Sequence, residues 1–519
     1  MSTVEAKPDH VEPGGNGAPE RPMIAVENPA TGETIASVPD MDSGQVKGLV
    51  DRARTAQPAW EALGFDGRAE VMYELRRWVV ENRERLAGTI SEENGKPTDE
   101  AMLTEIFYLC DSLGFWAKTG PKYLADERVR THSPLLLGKK VLVRYRPYGV
   151  VGVIGPWNYP LTNNFGDAIP ALVAGNSVVL KPSDVTPLTS LLLAEGFRAA
   201  GGTEDAFLVA TGGGETGAAL VDHADMIMFT GSTATGKKVL ARAAETLKPV
   251  SLELGGKDPM VVLRDADLER AANMAVQWAM SNSGQICISV ERVYVEEPVY
   301  DEFVGKVVKK VEALRQGPPG EPGAIDVGAI TFPPQLEKIE AHVNDAVTKG
   351  ARVLTGGKRG PGPGRFYEPT VLVDVDHTMD VMTEETFGPT LPIMKVRDEE
   401  EAIRMANDSK YGLNSSVFTK DLEKGERVAR RIEAGSTCVN DALMNYLAQE
   451  APFAGMKESG IGTRHSAAGI RKYTQPHTIL LTRFGPSKEP TMYPNSPKKA
   501  KLLERLLVLM YGRKRRSRR

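Results

Sequence analysis

From Asp66 to about Lys118, apolar residues recur three and four positions apart, through RAEVMYELRRWVVENRERL and TDEAMLTEIFYLCDSLGFWAK, the spacing of helices that bury one face. Between Arg128 and Tyr148 the pattern alternates instead, and RVRTHSPLLLGKKVLVRYRPY predicts a pair of strands turning at LGKK with basic residues along one side. Such an arm can pair with another subunit. After Gly149 the texture changes to short β-branched runs, VVGVIG, SVVLKPS, AFLVATG and MIMFTGS, each followed by a helix-like segment. That alternation predicts βαβ units and a mainly parallel sheet. A second set, PMVVL, VERVYVEE, ARVLTGG, GPTLPIMKV and SSVFTK, predicts another α/β domain from about Gly256 to Met456. No internal repeat is present. HTILLTRF reads as a late extended segment, and KKAKLLERLLVLMYGRKRRSRR as an amphipathic basic tail. At about 100° per residue Leu502, Leu503, Leu506, Leu507, Leu509 and Met510 share a face, with Glu504 and Arg505 opposite and Val508 on the polar side.

Composition narrows the classes. With 519 residues, 41% hydrophobic and 25% charged, the chain can fill the cores of two or three domains. Its formal charge of −4 offers no nucleic-acid footprint, and no apolar run is long enough to span a bilayer. Three cysteines, Cys110, Cys287 and Cys438, form no CxxC, and with seven histidines there is no finger-type metal cluster, which predicts a reducing compartment and no metal site. The start, MSTVEAKPDHVEPGGNGAPERP, lacks the apolar core of a signal peptide and reads as a disordered leader of a cytoplasmic protein.

Within this frame a few residues carry candidate chemistry. Cys287 sits in the small, polar NSGQICISVE, where a thiol gains little from packing; it is a core residue or a nucleophile. In FTGSTATGKK the spacing Gly231-x4-Gly236-Lys237 resembles a triphosphate loop, but Lys238 stands where the metal-binding hydroxyl belongs. The glycine turn either offers N–H groups to a phosphate or is a plain strand-to-helix turn. Asn158, between Pro156 and Pro160 in GPWNYP, is an oxyanion donor on a stiff loop or an ordinary turn asparagine. Lys181 and Asp184 of LKPSD can read ribose hydroxyls, which favours NAD over NADP. Glu253, between Leu252 and Leu254, is turned to solvent or is a semi-buried base.

Taken in order, GPWNYP, LKPSDVTP, FTGSTATG, LELGGK, NSGQICIS, EETFGP and FAGMKESGIG resemble the signature set of the NAD(P)-dependent aldehyde dehydrogenase superfamily, from about Ile24 to Thr482. Within it the chain is most similar to actinobacterial-type succinate-semialdehyde and broad aldehyde dehydrogenases. The resemblance implies an α/β aldehyde dehydrogenase fold, with a Rossmann-like NAD-binding domain (residues 24–126 and 149–255), an α/β catalytic domain (256–471) and a β-hairpin oligomerisation arm (127–148 with 472–490). Residues 1–23 would be leader and 491–519 tail. It implies that Cys287 attacks an aldehyde, that Asn158 and the Cys287 N–H hold the oxyanion, and that Glu253 activates water against the thioester. Cofactor binding would fall to Ile154, Pro156, Trp157, Lys181, Ser183, Asp184, Gly231, Ser232, Leu254, Gly255, Glu385 and Phe387, with NAD as cofactor and NADP as the alternative, and Gly256 would leave room beside the base.

Two departures stand out. Asp184 is one methylene shorter than the glutamate of some relatives, which loosens the NAD preference. Thr463 and Arg464 stand where many relatives read Arg-Glu after a glycine, so a second carboxylate proposed as a proton relay is missing. The substrate would be a small-molecule aldehyde, succinic semialdehyde or another aliphatic one; Arg292 is either a clamp for a semialdehyde carboxylate or a structural residue. A homodimer or homotetramer is expected, and the tail either lies on the inner membrane surface or packs on a neighbouring subunit. Two rival readings are a CoA-acylating semialdehyde dehydrogenase, which needs no water-activating base, and a non-catalytic binding or structural protein on the same fold.

Overall fold

The β-branched runs after Gly149 become the strands Val150–Ile154, Ser177–Lys181, Phe207–Val209, Met226–Thr230 and Val250–Glu253 of the computed structural model, which describes residues 22–485, 487–489 and 492–512. All five pair in parallel. Their spatial order places Val250–Glu253 beside Met226–Thr230, then Val150–Ile154, Ser177–Lys181 and Phe207–Val209. Strand order therefore reverses between Val150–Ile154 and Met226–Thr230, and such a switch opens a crevice at the carboxyl ends of those strands. Helices cover both faces, which is why Val150–Ile154 and Met226–Thr230 are buried throughout and read as continuous apolar runs. Gly460–Ile461, late in the chain, closes one edge antiparallel to Val250–Glu253.

A second sheet runs Arg352–Thr355, Thr370–Val373, Thr390–Val396, Val290–Glu296, Asp258–Val262, Ser416–Phe418 and Cys438–Val439, parallel except for the first pair. Only residues 254–257 separate the last parallel strand of the first sheet from the first in sequence of the second. The first sheet presents carboxyl ends at this link. The second presents amino ends, because Cys287 and Glu385 precede Val290–Glu296 and Thr390–Val396.

The helical region before Gly149 holds Gly64–Glu81, Arg83–Asn94 and Tyr108–Tyr123, with a π-helical turn at Met102–Phe107. An additional helix, Ser43–Ala62, is closed by a capping box in which Asp42 and Gln45 exchange hydrogen bonds at 2.9 and 3.0 Å. Of the expected leader, residues 1–21 lie outside the described residues, while Met23 opens the strand Met23–Glu27, paired antiparallel with Thr34–Pro39.

The described residues of Met1–Tyr123 and Pro147–Thr474 form one unit, and both large sheets belong to it. Those of Leu124–Arg146 and Gln475–Arg519 form the other. There Glu127–Val129 pairs antiparallel with Lys139–Pro147, and Thr474–Thr482 joins the same sheet. The first strand stops earlier than the alternation predicts. Residues 130–138, with a tight helical turn at Pro134–Leu136, replace a turn at LGKK, since Pro134 cannot donate to a ladder. A helix, Pro497–Tyr511, is capped by Ser496 and has no buried residue; the basic run 513–519 lies outside the described residues. Among the described residues no helix is long and apolar enough to cross a membrane.

Candidate active site

One cavity of about 780 Å³ lies at the switch in strand order, and every residue singled out as catalytic or cofactor-binding lines it, except Gly256 behind its wall. Asn158 projects from the loop after Val150–Ile154. Its carbonyl accepts hydrogen bonds from Asn282 Nδ2 (2.9 Å), Lys96 Nζ (3.0 Å) and Asn94 Nδ2 (3.3 Å), so the loop is fixed by three donors besides its two prolines. The Asn158 amide donates to the Gln285 carbonyl at 2.8 Å. An amide nitrogen carries two hydrogens, so one remains for another acceptor.

Cys287 follows a turn in which Asn282 and Ser283 both hold left-handed backbone, φ 48° and 55°. Two such residues in succession are strained, and buried side chains hold them there. Gln285 Nε2 donates to the Asn282 carbonyl at 2.8 Å, and its Oε1 accepts from Thr331 N–H at 2.9 Å. Gly256 lies behind the thiol residue: a Cβ there would come within 2.4 Å of the Cys287 carbonyl oxygen, and one on Gly255 within 2.6 Å of the Glu385 carboxylate. The double glycine lets these groups close on one another. Burial pushes the Cys287 thiol up to about 12; nearby Arg464 opposes this, and Asp258, Glu385 and Glu253 add to it. The thiol therefore carries its proton in the free protein.

Glu253 ends its strand inside the wall, 3% exposed, so it is the buried alternative of the two readings its sequence allows. Neither carboxyl oxygen has a hydrogen-bond partner. Burial pushes the carboxyl up to about 7, with Arg464 and Lys472 opposing and Asp167 adding. Glu385, also raised to about 7 by burial, accepts from Gly256 N–H at 3.0 Å.

At the other end of the cavity, Lys181 is buried, and its ammonium donates to the Pro182 carbonyl at 2.8 Å. Burial lowers its pKa while Asp184 and Asp40 resist. Asp184 is exposed and meets the Ser183 hydroxyl at 3.3 Å. The Gly231 N–H, which the sequence suggests as a phosphate donor, is taken by the Glu253 carbonyl at 3.1 Å. Ser232 caps the helix Thr233–Ala244 by accepting from Thr235 N–H, leaving the first turn's other N–H groups and dipole at the cavity. Lys238 and Lys338 add positive charge, and the backbone at Gly213 and Gly214 leaves open space. A partly cationic site of this volume beside a helix start fits a dinucleotide.

Several supporting residues carry no motif. Lys96 and Glu105, both without exposed side-chain surface, pair at 2.7 Å, and Glu105 Oε2 accepts from Leu161 and Thr162 N–H at the start of helix Thr162–Val173. Glu291 closes the Cys287 stretch. It pairs with Lys257 at 2.5 Å and accepts from Thr386 and Phe387 N–H at 2.8 Å each, holding Phe387 edge-on to Trp157. Arg292 resolves as structural. Its guanidinium donates to the carbonyls of Lys257 and Ala406 at 2.8 Å and to the Tyr294 hydroxyl at 2.9 Å, so it cannot reach a substrate carboxylate. Among the described residues no group of three His, Cys, Asp or Glu is placed to hold a metal ion.

Residues 17–479 match the aldehyde dehydrogenase family. A Mycobacterium ulcerans protein named "Putative succinate-semialdehyde dehydrogenase [NADP(+)] 2" is 40% identical over 467 residues, 89% of each chain. The 4,4'-diapolycopene aldehyde oxidase of a Methylomonas species is 38% identical over 496 residues, 94% of this chain and 91% of its own. The crystal structure of a Mycobacterium tuberculosis aldehyde dehydrogenase complexed with NAD+ superposes with a TM-score of 0.84 at 36% identity, over 88% of this chain and 94% of that one. The chain belongs to the aldehyde dehydrogenase family and is an oxidoreductase acting on aldehydes.

Proposed function

We propose that the protein oxidises an uncharged aliphatic aldehyde to the free acid, with NAD or NADP as acceptor, through a thioester on Cys287 that water hydrolyses. The observation that carries this reading is the meeting of Cys287, Glu253 and the Asn158 amide at one end of a cavity whose other end suits a dinucleotide. Glu253 takes the thiol proton and the sulfur adds to the carbonyl carbon. The resulting oxyanion is held by the unused Asn158 N–H and the Cys287 backbone N–H. Lys181, Ser183 and Asp184 would hold the cofactor's adenosine ribose, the Gly231–Ser232 turn with its helix the phosphates, and Glu385 with Phe387 the nicotinamide ribose; Ile154, Pro156, Trp157, Leu254 and Gly255 would form the surrounding walls. A cofactor bound there would supply the hydride acceptor needed for a thioester to form on Cys287. Glu253 releases the thiol proton to solvent and, again a carboxylate, takes a proton from water as the oxygen adds to the thioester carbon. The C–S bond then breaks, and acid and thiolate separate.

The apolar preference follows from which groups are committed. Cys287 and Tyr446, both partly buried, pack against the core cluster that holds Tyr159 and Phe453, while Arg292 is tied to backbone and Arg464 to Asp167. Succinic semialdehyde, butanal and decanal should be compared by cofactor reduction, with NAD and NADP separately and with and without coenzyme A. The expected result is kcat/KM for butanal and decanal about tenfold or more above that for succinic semialdehyde, the discrimination that follows when Arg292 and Arg464 are already committed to other partners. A tenfold preference for succinic semialdehyde overturns the uncharged-substrate reading, and a requirement for coenzyme A overturns hydrolysis.

We also propose a cytoplasmic homodimer or homotetramer that touches the inner membrane surface through its tail. Leu137 and Phe484 of the arm are 88% and 82% exposed, which suits a subunit interface. In the tail helix Leu502, Leu503, Leu507 and Leu509 of the leucine face are exposed too, next in sequence to Arg513, Lys514, Arg515, Arg516, Arg518 and Arg519. An apolar face beside a polybasic run suits an anionic bilayer surface. Vesicles containing phosphatidylserine should sediment the full chain at low salt and release it at high salt, whereas a chain ending at Ser496 stays in solution, assembled and active. Equal sedimentation of both forms rules out the membrane contact; loss of assembly on truncation assigns the helix to a neighbouring subunit.

A further inference from the structure

Arg464, standing where a second carboxylate is expected, is 5% exposed and grips Asp167 with both arms of its fork, Nε to Oδ1 at 2.9 Å and Nη2 to Oδ2 at 2.5 Å. Nη2 also donates to Thr230 Oγ1 at 2.5 Å, and Thr230 Oγ1 lies 3.3 Å from Asp167 Oδ2. Thr230 is the register partner of Glu253 on one side, and Gly460, four residues before Arg464, is its partner on the other. The ion pair is thus fastened to both strands that flank Glu253. The Glu253 carboxyl receives no hydrogen bond, so whatever stabilises its charge acts through space. The charged and titratable groups bearing on it from the surrounding elements are the cations Arg464 and Lys472, the anion Asp167, the Cys287 thiol and the Tyr473 hydroxyl. Burial lowers Lys472 to about 8, so it loses charge within the working range. A guanidinium does not.

We propose that the Asp167–Arg464 pair sets the charge environment of Glu253: Asp167 and Thr230 fix a permanent cation on the strands that flank a carboxyl with no donor of its own, and that cation favours the charged form of Glu253 where no second carboxylate is present. The proposal rests on Glu253 being the base. The two members of the pair act on Glu253 with opposite sign, since Arg464 favours its charge and Asp167 opposes it.

The test is the pH dependence of acyl-enzyme discharge, measured in single-turnover reactions with butanal and NAD in the wild type, Arg464→Gln, Arg464→Lys and Asp167→Asn. Arg464→Gln should move the acid limb up by about one pH unit or more and slow discharge about fivefold or more at pH 7. Asp167→Asn should move it down, and Arg464→Lys, which keeps the charge, should return it toward the wild-type position. If Arg464→Gln does not fold, the downward shift in Asp167→Asn and an intermediate limb in the Asp167→Asn/Arg464→Gln double variant, which is neutral, are still required. Shifts in the same direction, or unmoved limbs with uniformly lower rates, overturn the proposal. Glu253→Gln in the same assay separates the two levels. If it discharges like the wild type, the base is elsewhere and the underlying reading falls; if it stalls while the limbs of the other variants do not move, only the role of the pair falls.

Discussion

Replacing Cys287 by alanine should lower kcat/KM for aldehyde oxidation by about 10⁴-fold or more, the scale on which enzymes lose rate with their nucleophile. Affinity for NAD or NADP should stay within about twofold, because Cys287 and the cofactor end of the cavity stand on different sheets. Cys287 comes from the turn ahead of Val290–Glu296, whereas Lys181, Gly231 and Ser232 come from the carboxyl ends of the first sheet's strands. The other thiols cannot replace it. Cys110 sits half-buried in the helix Tyr108–Tyr123 and Cys438 is buried in a strand, and neither lines the cavity. The measurements are cofactor reduction and a cofactor-binding titration on the variant, repeated with Cys110 and Cys438 also replaced. Turnover that survives all three substitutions contradicts the assignment.

Glu253→Gln should form about one equivalent of reduced cofactor per active site and then stall, its steady rate about 10²- to 10⁴-fold below wild type, the usual contribution of a general base. Glutamine keeps the shape of the protonated acid and cannot take a proton from water. The pH dependence has a definite sign. A carboxyl raised to about 7 is protonated and inactive as a base below that pH, so wild-type discharge should climb through neutrality. In the variant that climb should be absent. Rapid-mixing absorbance with butanal checks both; steady turnover at the wild-type rate would show that another group activates the water.

How much of this the sequence discloses depends on the range of the interaction. The parallel sheets are legible because a strand buried on both faces must be apolar at every position, as VVGVI and MIMFT are. Short strands such as Cys438–Val439 leave no pattern to read, and the helix Ser43–Ala62 shows only four buried residues in a largely polar stretch, so its start is marked by the Asp42–Gln45 capping box alone. Among site residues, Asn158, Glu253 and Cys287 lie in compact local patterns. Lys96, Glu105, Glu291 and Asp167 do not, because a buried charge is explained by its partner, and each partner is known only once the chain has folded. Arg292 shows the converse: a charged residue beside a catalytic stretch reads as a ligand clamp until its donors are found on the carbonyls of Lys257 and Ala406.

In the proposed reaction the aldehyde carbon becomes covalently attached to Cys287 and is released by water under the control of Glu253. The direct measurement is peptide mapping by mass spectrometry of the Glu253→Gln protein, quenched in acid after reaction with butanal and NAD. A butanoyl group is expected on the Cys287 peptide alone, at a stoichiometry near the size of the burst. A full burst with no acyl adduct on that peptide, or an adduct on Cys110 or Cys438 instead, would contradict it.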